Sequence, residues 1–163
     1  MSEHKGMSGG RSGGRMYVLL AVALVVSFIV MYLLTFAMIN RTEDFYLNLS
    51  NAYMALMMVF AMGIVMIAVM WRMYPGAGLK VGLLVGFAAL FAAAFLVGRA
   101  EAFIGDEQFL KSMIPHHSRA ILVCEQSDIT DPEIVALCGE IVESQQREID
   151  QMRAILERMR ESP

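Results

Sequence analysis

Two stretches near the C-terminal end carry the side chains able to do chemistry. Met113-Ile-Pro-His116-His117 places a thioether and two imidazoles almost side by side. Gln145, Glu148 and Met152 follow at i, i+3 and i+7, which puts an amide, a carboxylate and a second thioether on one side of a helix. Met, His and Cys are the soft donors of copper, above all Cu(I). Zinc would take His and Glu and leave the thioethers idle. The same residues also suit a metal-free core in which His and Gln satisfy each other and Met fills gaps. Neighbouring His side chains diverge by about 100° around a helix, so His116 and His117 do not clamp one ion as an i, i+4 pair does. Either each serves a separate ion, or one binds while the other orients. Pro115 lacks an N–H and frees the carbonyl of Lys111, so the helix should bend beside the His pair. Cys124 and Cys138 leave three readings open: a disulfide in an oxidising compartment, thiolate ligands for Cu(I), or small buried apolar residues. An ideal hairpin sets the two more than one helical turn out of level, which disfavours a bridge.

These side chains need two helices to hold them. Asp106 is a plausible N-cap, and a first helix then runs to about Ser127. Its apolar seam is Phe109, Met113, Ala120, Ile121 and Cys124, with both His facing inward or nearly so. The turn that follows offers two caps: Thr130 with Glu133 as a capping box, or Asp131 before Pro132. The second helix runs from about Pro132 to Arg160. Its seam is Ile134, Leu137, Cys138, Ile141, Gln145, Glu148, Met152, Ile155 and Met159, and its outer face carries the pairs Glu143–Arg147 and Arg153–Glu157. With a short turn, Met113 lies level with Gln145 and His117 with Ile141. One hairpin buries little by itself, so two copies should pair into a four-helix bundle.

The rest of the chain is a different material. Of 163 residues 57% are hydrophobic and 18% charged, against about 25% charged in a soluble domain. The excess lies in three apolar runs, 16–39, 52–71 and 79–97, each long enough to cross about 30 Å of hydrocarbon. The first is too long for the core of a signal peptide, and no small-residue cleavage site follows it. Lys5, Arg11 and Arg15 precede the first run, Arg72 follows the second and Lys80 stands at the leading edge of the third, so these segments face the cytoplasm. The loop 40–51 and everything after the third run then lie outside. Trp71 and Tyr74, and Tyr46 and Tyr53, suit the two interfaces. Residues 1–15 are expected to form a disordered cytoplasmic segment, 16–97 a three-span membrane region, and 98–163 a periplasmic hairpin. From Arg99 onward seven Lys or Arg face thirteen Asp or Glu, and the net charge of −3 gives no reason to expect nucleic acid.

At this point the residues carry a likeness. The run Asp106-Glu-Gln-Phe-Leu-Lys-Ser-Met-Ile-Pro-His-His-Ser-Arg-Ala-Ile, followed by Gln145-x-x-Glu148-Ile149-x-x-Met152, resembles domain-of-unknown-function family number 305. That resemblance implies a ferritin-like helical bundle with a Met-x-Pro-His-His signature. It covers about Asp106 to Arg158. Many relatives hold two hairpins in tandem, whereas this chain has one, which agrees with pairing of two copies. A membrane-bound branch has three spans before the hairpin and cysteines at the positions of Cys124 and Cys138. Its members resemble periplasmic copper-binding or copper-tolerance proteins. Carried over, Met113, His116, His117, Gln145, Glu148 and Met152 are the signature positions. The family often has Met where this chain has Val123, which would alter the site if that Met is a ligand.

The spans raise a second function. Met54, Met58, Met62, Met66 and Met70 recur every four residues, and Gly82 and Gly86 form a close-packing Gly-x-x-x-Gly. Three spans with these motifs are similar to Ctr-type copper transporters, although the topology here is opposite. A four-residue step also drifts about 40° around a helix, so the ladder winds. Metal-free packing of these methionines is the plain alternative. No span holds an ionisable residue away from its edge, which speaks against a proton-coupled pump. No nucleophile–base pair, phosphate loop or Glu-x-x-His of a di-metal oxidase occurs in the hairpin, so the chain reads as no enzyme. The expectation is an all-α, membrane-anchored periplasmic protein of the bacterial inner membrane. It binds copper for tolerance or delivery and is a homo-oligomer through its hairpin. A Met-lined copper channel and a structural module without metal are the alternatives.

Overall fold

A computed structural model of the chain describes residues 9–161. They form five α-helices: α1 (Gly9–Leu34), α2 (Leu49–Val69), α3 (Ala77–Arg99), α4 (Asp106–Gln126) and α5 (Pro132–Glu161). A 3-10 turn, Thr42–Asp44, sits between α1 and α2, and no strand occurs among the described residues. The all-α architecture, three long apolar helices and then two more, is the one the sequence predicts. The helices divide into two compact units, Met1–Tyr32 with Tyr53–Ala100, and Leu33–Ala52 with Glu101–Pro163. Of the segment expected to be disordered, residues 1–8 lie outside the described residues. The helix α1 already begins at Gly9, before the apolar run starts at Met16. Once an apolar helix is nucleated each further residue adds a hydrogen bond, and no Pro stops it there.

The first unit holds the apolar helices. Gly14–Leu34, Leu49–Val69 and Ala77–Arg99 have mean hydropathies of 2.7, 2.4 and 2.4 and the length to cross a membrane. Val18, Val22, Val25 and Ile29 on α1, and Val81, Val85 and Leu96 on α3, are all more than half exposed. Apolar surface of that extent fits lipid rather than water. Leu20, Ile67 and Tyr74 form the buried centre, with Tyr17, Leu83 and Phe87 against it. Helices approach closely at Gly63, where an added Cβ would stand 3.0 Å from the Phe87 ring, and at Gly98, 3.1 Å from Tyr53 Cβ. Gly82 and Gly86, the close-packing motif of the sequence, face open space instead. The bulkier Leu83, Leu84 and Phe87 take the inward side of α3 and turn those glycines out. Lys80 is buried yet satisfied: its ammonium donates to the Trp71 carbonyl at 2.9 Å and lies 4.2 Å over the Trp71 ring. Tyr74, expected in an interfacial belt, is buried with its ring 5.3 Å from that of Tyr17.

In the second unit α4 and α5 form the expected hairpin, but the chain's own loop 33–52 lies against it. Gly105 stands at the N-cap of α4 without a side-chain bond, so Asp106 is the first helical residue and not the cap. Asp106 and Glu107 place negative charge at the positive helix end. Of the two caps open for α5, Asp131 is used: its Oδ1 accepts from Glu133 N at 2.9 Å and Ile134 N at 3.2 Å.

The buried stripe differs from the expected seam. Leu110, Ile114, Ile121, Ile149, Met152 and Leu156 form the core, with Tyr46 of the loop packed on it. Phe109 is 52% exposed, and Ile134 and Leu137 are also outside. Two apolar stripes run along α4, Phe109–Met113–Ala120 and Leu110–Ile114–Ile121, and their periodicity is the same. Docking of the loop decides between them, and the loop is far away in sequence. The register differs too. His117 meets Glu148 rather than Ile141, a shift of seven residues or about 10 Å. The chain leaves α4 extended at Ser127 (φ −79°, ψ 137°), so α5 starts beyond the end of α4. Residues 131–137, the cap and first turns of α5, are exposed throughout.

Candidate functional site

Pro115 stands inside a continuous α4 and is buried. The Lys111 carbonyl it frees accepts a hydrogen bond from Asn48 Nδ2 at 3.4 Å. Asn48 also caps α2, with Oδ1 accepting from Asn51 N at 2.9 Å, and Gln108 Oε1 accepts from Leu49 N at 3.1 Å. The bond that proline removes from α4 is thus replaced by one to the loop.

One turn further, His117 lies on the buried side, 8% exposed. Its Nδ1–H donates to the Met113 carbonyl at 2.8 Å, and Nε2 is 2.7 Å from Glu148 Oε2. With Nδ1 held by the backbone, Nε2 is the one ring atom left to face a ligand or partner. The Glu148 side chain is half exposed, so the contact sits at the rim of the hairpin. His116 points elsewhere. It is exposed rather than inward, with its ring 5.8 Å from that of His117. It lines an open cavity of about 390 Å³ with Arg119, Ala120, Val123, Cys124 and Ile141.

The other expected ligands separate. Met152 is buried in the hairpin core and Met113 packs on that core. Gln145 is half-buried. Cys124 and Cys138 form a disulfide with Cα atoms 5.3 Å apart. The shifted register supplies the physical reason: about seven residues of shift carry Cys138 from four residues on one side of the level of Cys124 to three on the other, inside one helical turn. Among the described residues no three His, Cys, Asp or Glu side chains converge as a metal cluster. In α2 the buried stripe is Ala55, Val59, Gly63 and Ile67. Met54 and Met58 stand outside it and are exposed, while Met62 and Met66 are half-buried.

A second polar cluster escaped the sequence reading. Asp44 is 2% exposed. Its Oδ1 accepts from Arg153 Nη2 at 2.5 Å and its Oδ2 from Ser118 Oγ at 2.6 Å. Ser118 Oγ accepts in turn from Asn40 N at 2.7 Å, and Asn40 Nδ2 donates to Glu125 Oε2 at 3.2 Å. Arg153 therefore belongs to Asp44, with Glu43 at 3.7 Å, and not to Glu157 on an outer face. The signal was present: Arg153 follows Met152 directly, Ser118 follows His117, and the loop holds an Asp. Glu143 and Arg147 do pair as expected, at 3.6 Å. At the start of α4 the Lys111 ammonium is 2.6 Å from Glu107 Oε1. That hydrogen bond and the lysine's charge hold the Glu107 carboxyl below its ordinary value.

Comparison with known proteins agrees with the sequence likeness. The family described as "Domain of unknown function (DUF305)" matches residues 98–156, which is α4 and most of α5. An uncharacterized protein of Acanthamoeba polyphaga mimivirus is 37% identical over 120 residues, covering 72% of this chain and 77% of that protein. No solved structure matches. On the family match to its hairpin and a relative that extends across most of its length, the chain belongs to the DUF305 family.

Proposed function

We propose that the protein is a membrane-anchored metal binder that presents His117 on an extracytoplasmic hairpin, with copper as the metal. One observation carries this: the Nδ1–H of His117 is committed to the Met113 carbonyl, the support a metal-ligating histidine usually has, and its Nε2 is directed to a carboxylate at the rim. Glu148 is the second donor. The thioethers of Met113 and Met152, in and against the adjoining core, favour a soft ion. In this reading the protein sits in a bacterial inner membrane and serves copper tolerance or delivery in the periplasm. In this reading α2 and α3 are two crossings that return the hairpin to the side of the loop, and the Lys and Arg pattern supports the outside for both. The exposed Val123, Ile134 and Leu137 support pairing of two hairpins into a four-helix bundle.

The test is Cu(I) titration of the full chain in detergent against a chromophoric chelator. Binding tighter than about 1 μM, lost in His117→Ala and weakened in Met152→Leu, is the expected result. Binding weaker than that, or equal in wild type and His117→Ala, rejects the reading. A structural role has its own support, since both ring nitrogens of His117 already have protein partners. In that case His117→Ala lowers stability and no copper binds. The Met-lined channel draws least support, because Met54 and Met58 lie outside the buried stripe of α2.

A further inference from the structure

The cysteine pair takes no part in the His117–Glu148 contact. Both cysteines are half-buried, and Cys124 opens on the cavity shared with His116 and Arg119. The bridge is also not what aligns the helices. The core from Leu110 to Leu156, the His117–Glu148 contact and the Asp44–Arg153 pair all lie on one side of it. On the other side Ile134, Val135 and Leu137 are exposed and do not hold α5 to α4. Opening the bridge therefore leaves two thiols facing each other across a hairpin that stays in register.

We propose that the reduced Cys124–Cys138 pair is a Cu(I) site distinct from His117, blocked in the disulfide form and opened by a dithiol reductant. The disulfide takes two electrons and two protons from the dithiol, which leaves as its own disulfide. The two thiols then bind one Cu(I) as thiolates and release two protons, giving a complex with one negative charge. Thiolate is the softest donor a protein offers, and Cu(I) the ion that most prefers it. With Cα atoms 5.3 Å apart, rotation of the two side chains sets one sulfur on each side of an ion. The positive charge of Arg119, on the same cavity, attracts the anionic complex, and the opening gives both reductant and copper access. The inference goes beyond the His117 reading and does not need it.

The test uses the full chain in detergent in two states: oxidised, and reduced with a phosphine that is then removed without air. Cu(I) is counted by competition with a chromophoric chelator, and thiols are counted with a thiol reagent before and after copper. Reduction should add one Cu(I) per chain, and that copper should protect both thiols. Cys124→Ser and Cys138→Ser should each abolish the increment, while His117→Ala should keep it. Loss of oxidised-state copper in His117→Ala with the increment intact separates the two sites. The proposal is overturned if reduction adds no copper, if the increment survives in either serine variant, or if reduction alone melts the hairpin helices seen by circular dichroism.

Discussion

Removing the Asp44 carboxylate should loosen the hairpin from the loop by an amount the structure sets. Asp44 accepts two hydrogen bonds, from Arg153 and Ser118, at 2% exposure. Hydrogen bonds to a charged group contribute about 1.5–3 kcal/mol each, which gives an upper range of about 3–6 kcal/mol for the pair. Two effects lower it. Asp44→Ala no longer buries a charge, and Arg153, 25% exposed with Glu43 at 3.7 Å, is not stranded. One effect raises it: the Ser118 hydroxyl, wholly buried, loses its acceptor, at about 1–3 kcal/mol. The net loss is about 2–4 kcal/mol, near the lower edge for a broken buried pair. At about 1.4 kcal/mol per tenfold, local opening should rise roughly 30- to 700-fold. Amide hydrogen exchange of the full chain, followed on peptides over 110–121 and 149–156, reads this directly. The double variant with Arg153→Met should show a coupling of at least about 1 kcal/mol. Exchange altered less than about threefold, with the two substitutions additive, would refute the reasoning.

Two further outcomes follow from the buried stripe and from the start of α4. Ile114→Ala empties a site with no exposure and should cost about 2–5 kcal/mol, whereas Phe109→Ala, at a residue 52% exposed, should stay within about 0.5 kcal/mol. Denaturant unfolding in detergent that ranks them the other way would restore the Phe109 seam. The Glu107 carboxyl is held low by the Lys111 hydrogen bond and charge, so its contribution is complete above its ordinary value of 4.5 and fades as pH falls below that. Glu107→Gln should lose that part of the pH dependence, measured as the shift of unfolding midpoint between neutral and acidic buffer.

The architecture was legible because its signals are local. Apolar runs, the Asp131-Pro132 cap and the Glu143–Arg147 spacing are all read within a few residues. The site was half legible. His117 and Glu148 were identified as side chains facing one another's helix, but their pairing was not, since a change of course at Ser127 moves α5 by seven residues. The cysteine bridge, one of three readings the sequence leaves open, is disfavoured there by the same ideal register. His116 was placed inward because two stripes with equal periodicity run along α4, and the choice between them belongs to Tyr46 and Asp44, more than sixty residues upstream. Long-range partners of this kind leave only a polar residue in an odd place, as Arg153 beside Met152 and Ser118 beside His117.

The grip of Asp44 on Arg153 has a consequence in time. The two residues are 109 positions apart, and a ribosome adding about 5–20 residues per second delivers the arginine roughly 5–20 s after the aspartate. Throughout that interval the loop waits between two apolar helices, and α2 and α3 are both made before its partner exists. A chain halted between Arg99 and Asp106 would carry all three apolar helices and Asp44, but neither Ser118 nor Arg153 to hold it.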